Sequence, residues 1–154
     1  MAGRVKDTNN IPKLIKQLEL MDKFKTIIGI QAPSGDDLYK IGYVQEYGFD
    51  IKVTDGMRNW FLAQGMPLTA DTTHIRIPER SYLRTAFDLN QAKIHRKMED
   101  LALKVANGEM TAYQAREALG PYVSEMIKLK IDDVQLIRSG ELRESIGHIV
   151  KVKK

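Results

Sequence analysis

Three histidines could take part in acid–base or metal chemistry, but their surroundings in the sequence do not favour it. His74, His95 and His148 lack the i, i+4 histidine partner of a helical metal site, and no carboxylate stands two positions from any of them. The chain has no cysteine, which removes disulfides, thiolate nucleophiles and thiolate metal ligands. We therefore expect ordinary surface or half-buried histidines and no metal site.

The acidic residues also fall in patterns that structure explains better than catalysis. Gly35-Asp36-Asp37 resembles a polymerase metal motif, but no second acidic cluster accompanies it, and carboxylates suit the positive end of a helix. Three further acidic sets are predicted to be solvated helix faces and ends: Glu99-Asp100, Asp132-Asp133, and Glu141 with Glu144. The chain has no phosphate-binding loop, no G-x-S-x-G elbow and no dinucleotide-binding glycine motif. The sequence thus predicts a protein that is not an enzyme and uses no cofactor.

Length and composition indicate a globular protein of about one domain. The 154 residues carry 24 Lys and Arg against 20 Asp and Glu, a formal net charge of +4, and 43% are hydrophobic. Such a chain can bury a core of its own and is not wholly disordered. We expect a single domain over 1–154 with flexible ends at 1–9 and 151–154. No apolar stretch approaches the roughly 20 residues of a membrane span, and no signal peptide is recognised, so no membrane partner is expected.

Hydrophobic periodicity and turn residues predict four elements in the first half: helix 11–23, strand 26–31, helix 37–47 and strand 74–77. Asn10 and Ser34 are placed to cap the two helices at their N-termini. Gly48 stands where a helix commonly ends in a left-handed residue, and Pro78 ends the second strand.

Residues 49–73 form the segment that is hardest to interpret, and we expect a variable loop there. Residues 49–53 alternate like a strand, and residues 57–64 could be a short helix or an exposed aromatic loop. Trp60 and Phe61 lie in that second stretch. Adjacent large aromatic residues are predicted to pack in the core or against another subunit rather than to bind a ligand.

The second half changes to helical periodicity. An apolar stripe predicts a long helix over 80–106, and a capping box of Thr111 with Gln114 begins the next. Pro121 either kinks that helix or opens a new one. A short helical turn before the alternating strand 146–152 completes the pattern. We predict an α+β fold, with a small and mainly antiparallel sheet packed with the N-terminal helix and a long antiparallel helical hairpin.

A small basic set surrounds Pro78. Arg76, Arg80 and Arg84 could be plain surface residues, or they could pair with carboxylates of another subunit. Arg80 and Arg84 would lie one turn apart at the start of the long helix. The lysine-rich residues 151–154 are interpreted as a solvated end.

Three segments together resemble a known family. They read YVQEYG at 43–48, IPERSYLRTAF at 77–87 and SGELRESI at 139–146. The combination is similar to the tailed-phage virion morphogenesis proteins, also described as neck, tail-completion or head–tail joining proteins. The residues that carry this resemblance, together with the aromatic pair of the loop, are the candidate site and subunit-interface residues: Tyr47, Gly48, Trp60, Phe61, Ile77, Pro78, Arg80, Tyr82, Leu83, Arg84, Gly140, Leu142 and Ser145.

The resemblance implies a structural subunit at the junction of phage head and tail. It would form a homo-oligomeric ring in the virion, contact other head and tail structural proteins, and let DNA pass without binding it specifically. It would be made in the cytoplasm of the bacterial host. The alternative from the residues themselves is a small basic DNA-binding or regulatory protein that uses Arg76, Arg80, Arg84 and the lysine tail.

Overall fold

The computed structural model describes residues 10–31, 35–136 and 140–153. These residues form six helices and four strands, in the order α1 (Ile11–Lys23), β1 (Phe24–Ile30), α2 (Asp36–Tyr47), β2 (Phe49–Lys52), α3 (Asp55–Ala63), β3 (His74–Ile77), α4 (Leu83–Ala106), α5 (Ala112–Asp133), α6 (Glu141–Glu144) and β4 (Ile146–Val152). The predicted α+β fold class is confirmed.

Helix α5 lies at the centre of the molecule. Its buried apolar residues recur every four positions and form one continuous stripe: Ala115, Leu119, Val123, Ile127 and Ile131. This stripe packs with the buried residues of α4, while β1 and β4 also lie against α5. The helix continues through Pro121 without ending. The preceding Gly120 is buried against His148, and a β-carbon there would overlap the imidazole ring, so the close approach requires glycine.

The four strands form two separate antiparallel pairs rather than a single sheet. One pair joins β1 to β4, from Phe24 opposite Val152 to Ile30 opposite Ile146. The other joins β2 to β3, with Phe49 opposite Ile77 at one end. The first pair covers α5, whereas no helix of the described body packs extensively on the second pair or on α3.

The capping predictions had mixed outcomes. The box of Thr111 and Gln114 is confirmed, since each donates its backbone N–H to the side chain of the other. Asn10 stands at the N-cap of α1, but its backbone is helical and its side chain makes no capping hydrogen bond, so that prediction is wrong. Ser34 lies outside the described residues. Gly48 has the expected positive φ, +71°.

Three regions differ from the sequence prediction. Helix α4 begins at Leu83 rather than near residue 80, so Arg80 precedes the helix instead of lying one turn before Arg84. Segment 49–73, expected to be a loop, contains the strand β2 and the helix α3. Residues 151–152, expected in a flexible end, pair with β1 as part of β4.

Candidate interaction surface

A buried carboxylate joins α2 to α4. Glu46 lies in the last turn of α2, and only 2% of it is exposed. Its carboxylate accepts five hydrogen bonds: from the backbone N–H groups of Tyr82 and Leu83 at 2.8 Å each and of Arg84 at 3.1 Å, from the Ser81 hydroxyl at 2.8 Å, and from Arg84 Nε at 3.0 Å. We call Glu46, Ser81, Tyr82, Leu83 and Arg84 the Glu46 cluster.

The Glu46 cluster provides an N-terminal cap for α4. The first N–H groups of a helix have no partner inside it, and Tyr82 at the N-cap provides no side-chain cap. Glu46 supplies that cap from a different helix. Its negative charge also faces the positive end of the α4 dipole, where a carboxylate is stabilising.

The environment keeps Glu46 ionised. Burial raises the pKa of the Glu46 carboxyl, but the hydrogen bonds from Leu83, Arg84 and Ser81 together outweigh burial and hold the pKa below its ordinary value. Burial, followed by the charge of Glu46, raises the pKa of the Tyr82 hydroxyl. Neither group is placed to exchange a proton near neutral pH, which fits a structural role.

Arg84 does pair with carboxylates, but they belong to the same chain. Its guanidinium contacts Glu46 at 3.0 Å and Glu79 at 2.5 Å. It also lies over the ring of Tyr47, 4.8 Å from the centroid, and that ring contacts Tyr43. The hydrogen bond to Glu46 is the main reason that the pKa of Arg84 is raised. Arg84 thus links segments 43–48 and 77–87.

The third segment lies next to this cluster, because Leu142 is beside Gly42, whose carbonyl oxygen accepts the Tyr82 hydroxyl at 3.4 Å. A β-carbon on Gly42 would overlap Ile30, approach the Tyr82 hydroxyl oxygen within 2.8 Å and approach Leu142 within 3.3 Å. The glycine inside α2, unfavourable for a helix alone, is therefore explained by close packing.

The remaining residues of this third segment shape the chain around α6. Gly140 precedes the helix with φ +77°. The hydroxyl of Ser145 donates to the carbonyl oxygen of Leu142 at 2.7 Å, and Ser145 accepts the backbone N–H of Gln31 at 3.0 Å. Ser139 lies outside the described residues.

Gly48 marks the point where the chain leaves the body. A β-carbon there would stand 2.9 Å from the backbone nitrogen of Glu79 and 3.0 Å from the carbonyl oxygen of Ile77, so the two crossing segments need glycine. The chain returns through Pro78, and the backbone N–H of Arg80 donates to the carbonyl of Gln45 at 2.8 Å.

Between these crossings, residues 49–77 form what we call the arm. The rings of Trp60 and Phe61 contact each other on α3, edge to face at 5.0 Å, and Trp60 is 56% exposed. Neither is buried in the core, and the arm brings neither to the Glu46 cluster. One face of the β2–β3 pair carries four apolar side chains, none of them buried: Phe49, Ile51, Ile75 and Ile77.

The arm is ordered by polar bonds instead of a core. The hydroxyl of Thr54 caps α3 by accepting the N–H of Met57. The guanidinium of Arg58 donates to the carbonyl oxygens of Thr69, Ala70 and Thr72, at 2.9, 3.3 and 2.6 Å. These bonds fix the loop between α3 and β3, while Trp60, Leu62 and Met66 of the arm stay exposed.

The described residues contain one further polar group of note. His148 Nε2 contacts a Glu117 carboxylate oxygen at 3.0 Å. Hydrogen bonds from His148 and then Tyr113 lower the pKa of Glu117. In the described ranges, no three His, Asp or Glu side chains are grouped so as to hold a metal ion. None of the helices there combines the length and apolar composition needed to cross a membrane.

Sequence reasoning missed Glu46, although two signals pointed to it. A carboxylate in the last turn of α2 faces the unfavourable end of that helix dipole, so it needs another reason to be there. The start of α4 has neither a capping side chain nor an acidic residue in its first turn. The missing cap of α4 explains why a carboxylate stands at the end of α2, because Glu46 supplies that cap.

Comparison with family models, with curated proteins and with solved structures finds no match for this chain.

Proposed function

We propose that the chain is a structural subunit of a tailed phage or prophage, assembling at the head–tail junction through protein–protein contacts and without catalysis. The observation that carries this proposal is the contact of segments 43–48 and 77–87 at the Glu46 cluster, with Leu142 of segment 139–146 beside the neighbouring Gly42. Residues far apart in sequence that share one contact network are more informative than any of the short motifs alone. Their role here is to fix the shape of the body.

The arm provides the contact surface that such a subunit needs. It exposes large apolar side chains, among them Phe49, Trp60 and Leu62, on a segment on which no helix of the described body packs extensively. Exposed apolar surface of this kind is typical of interaction sites. The partners would be further copies of the chain and other head and tail proteins of the virion, after synthesis in the cytoplasm of the bacterial host.

The charge distribution supports passage of DNA over specific binding. Arg84 is engaged by two carboxylates, and Arg76 lies 4.0 Å from Asp50. Lys153 of the tail pairs with Asp22 at 3.1 Å. Basic side chains paired with carboxylates attract a phosphate backbone less than unpaired ones do. No contact among the described residues specifically favours the alternative of a basic DNA-binding protein.

Deleting the gene and imaging the resulting particles by electron microscopy tests the proposal. We expect separate filled heads and complete tails, with joined particles restored when the intact chain is supplied in trans. Joined, infectious particles in the deletion would overturn the proposal. A gel-shift assay with duplex DNA at several salt concentrations tests the alternative. A DNA-binding protein should retard the duplex, and the retardation should weaken steeply as the salt concentration rises.

A further inference from the structure

A groove runs along the body beside β1. It has a volume of about 640 Å³, and its floor and walls come from α5, α4 and β1. The apolar side chains that line it include Ile28, Phe87, Met98, Leu119 and Val123. Phe87 remains 50% exposed, so the groove is an apolar surface that the described chain leaves uncovered.

One wall of the groove is an open strand edge. The N–H of Lys153 donates to the carbonyl of Lys23, so the odd-numbered residues of β1 carry the bonds to β4. In an antiparallel ladder the backbone groups of Thr26, Ile28 and Ile30 then point to the other edge. Thr26 and Ile28 line the groove, and among the described residues no second strand pairs with β1 on this side.

An open edge beside an apolar groove is the geometry that accepts an added strand. Backbone hydrogen bonds form along the edge, and alternate side chains enter the groove. The strand must belong to a segment that stands clear of its own body, because a strand already backed by helices would collide with α4. The arm meets this condition, since no helix of the described body packs extensively on it.

We infer that the arm of one copy docks in this groove of the next copy, with its β2–β3 pair along the open edge of β1. This inference rests on the proposed function and names the contact that would build the ring. The apolar face of Phe49, Ile51, Ile75 and Ile77 enters the groove and covers Phe87. Arm and groove are different surfaces, so the contact repeats head to tail and closes when the rotation per subunit allows it.

The available area fits a weak contact that is repeated between copies. Phe49 is 53% exposed and Trp60 is 56% exposed, whereas Ile51, Ile75 and Ile77 are partly buried. A whole aromatic side chain offers roughly 150–250 Å², so these residues provide less than the roughly 800 Å² per partner of a standard interface, and a single contact is expected to be weak. In a ring each copy makes the contact twice, once through its arm and once through its groove.

The test uses two variants of the whole chain that each lose one half of the contact. Phe49→Ser alters the arm and Phe87→Asp alters the groove. Lys52→Asp on the polar face of the arm and Leu103→Asp, at an exposed α4 residue outside the groove, are the matched controls. Circular dichroism and thermal unfolding first establish that all four variants are folded.

Masses are then measured by sedimentation and native mass spectrometry up to about 1 mM protein. We expect the wild type and both controls to assemble, with association at least tenfold weaker in each test variant. An equal mixture of the two test variants should give a dimer and nothing larger, because only one intact arm meets one intact groove.

Three results would overturn the inference: a wild type that stays monomeric throughout, a test variant that assembles like the wild type, or a mixture without dimers. The deletion experiment is separate. Joined particles in the deletion strain would remove the phage role while leaving a measured arm–groove contact in place. Separate heads and tails in the deletion strain, together with a purified chain that stays monomeric, would support the phage role and remove the arm–groove contact.

Discussion

The Glu46 cluster and the arm are neighbours in sequence, yet they satisfy their side chains in different ways. In the cluster, a buried carboxylate accepts five hydrogen bonds from one short segment. Beside it, the absence of a side chain at Gly42 lets α2 pack closely against Ile30 and Tyr82. In the arm, hydrogen bonds from Arg58 fix the backbone while Phe49 and Trp60 stay exposed. The comparison shows that an ordered backbone does not require a local core. The two regions should therefore respond differently to mutation.

The largest effect is expected at Glu46. Glu46→Ala leaves the first N–H groups of α4 without acceptors and should lower the free energy of unfolding by about 3 kcal/mol. For a chain of this size the melting temperature should fall by about 10 °C. Glu79→Ala removes the exposed partner of the same arginine and should cost at most about 0.5 kcal/mol. Equal losses in urea unfolding of the two variants would contradict the role given to Glu46.

A pair of glycine variants sharpens the contrast between the two regions. Gly42→Ala forces a methyl group against Ile30 and Tyr82 and should destabilise the chain by about 2 kcal/mol. Gly56→Ala, in α3 of the arm, meets only the Thr54 hydroxyl at 3.9 Å and should stabilise by up to about 1 kcal/mol. Urea unfolding of both variants measures the sign of each change. A loss of stability at Gly56 would mean that the arm is packed more tightly than described.

Arg58→Gln should affect the arm with little effect on the body. Removal of the guanidinium leaves the carbonyls of Thr69, Ala70 and Thr72 to water, so amide exchange in this loop should increase. Global unfolding should change by about 1 kcal/mol or less, because all these groups are near solvent. Exchange followed by mass spectrometry, with Lys52→Gln as control, measures the difference. Faster exchange throughout α4 and α5 would show that the arm supports the body.

The smallest effect is expected from pH. The pKa of Glu46 is lower in the folded chain than the usual 4.5. At a pH between the folded and the unfolded pKa, the Glu46 carboxyl is therefore ionised in the folded chain and protonated in the unfolded chain. Stability from Glu46 is therefore complete above about pH 4.5 and is lost as the pH falls through the lower folded value. In unfolding titrations from pH 7 to 3, the difference between wild type and Glu46→Gln should narrow as the pH drops. A constant difference would show that Glu46 does not titrate in this way.

Most secondary structure was predictable because it follows from local patterns. Helix α1 matches the predicted 11–23, and strand β3 matches 74–77, since apolar spacing and the proline at 78 specify them without help from the rest of the chain. The division of the strands into two pairs was not predictable. Alternation identifies a strand but does not specify its neighbour, which depends on where α2 and α4 place the chain.

The candidate site was predictable only in part. Tyr82, Leu83 and Arg84 were named as candidate residues from the sequence, and the structure places them in the Glu46 cluster; Glu46 itself was quoted within segment 43–48 but was not singled out. Its partners lie 35 to 38 positions away, beyond any helical or strand period. The predicted start of α4 was too early because the groups that cap the helix belong to Glu46 of α2, and no capping residue marks the start in the local sequence.

The distance between Glu46 and its partners also bears on how the chain folds. The bond to the Tyr82 backbone spans 36 positions, so it forms only after the loop holding the arm has closed. The first turn of α4 therefore cannot nucleate by itself, whereas the capping box at Thr111 lets α5 begin locally. During synthesis or refolding, α5 should gain helical structure before the amino end of α4 does, and that end should be the first part of the long hairpin to fray.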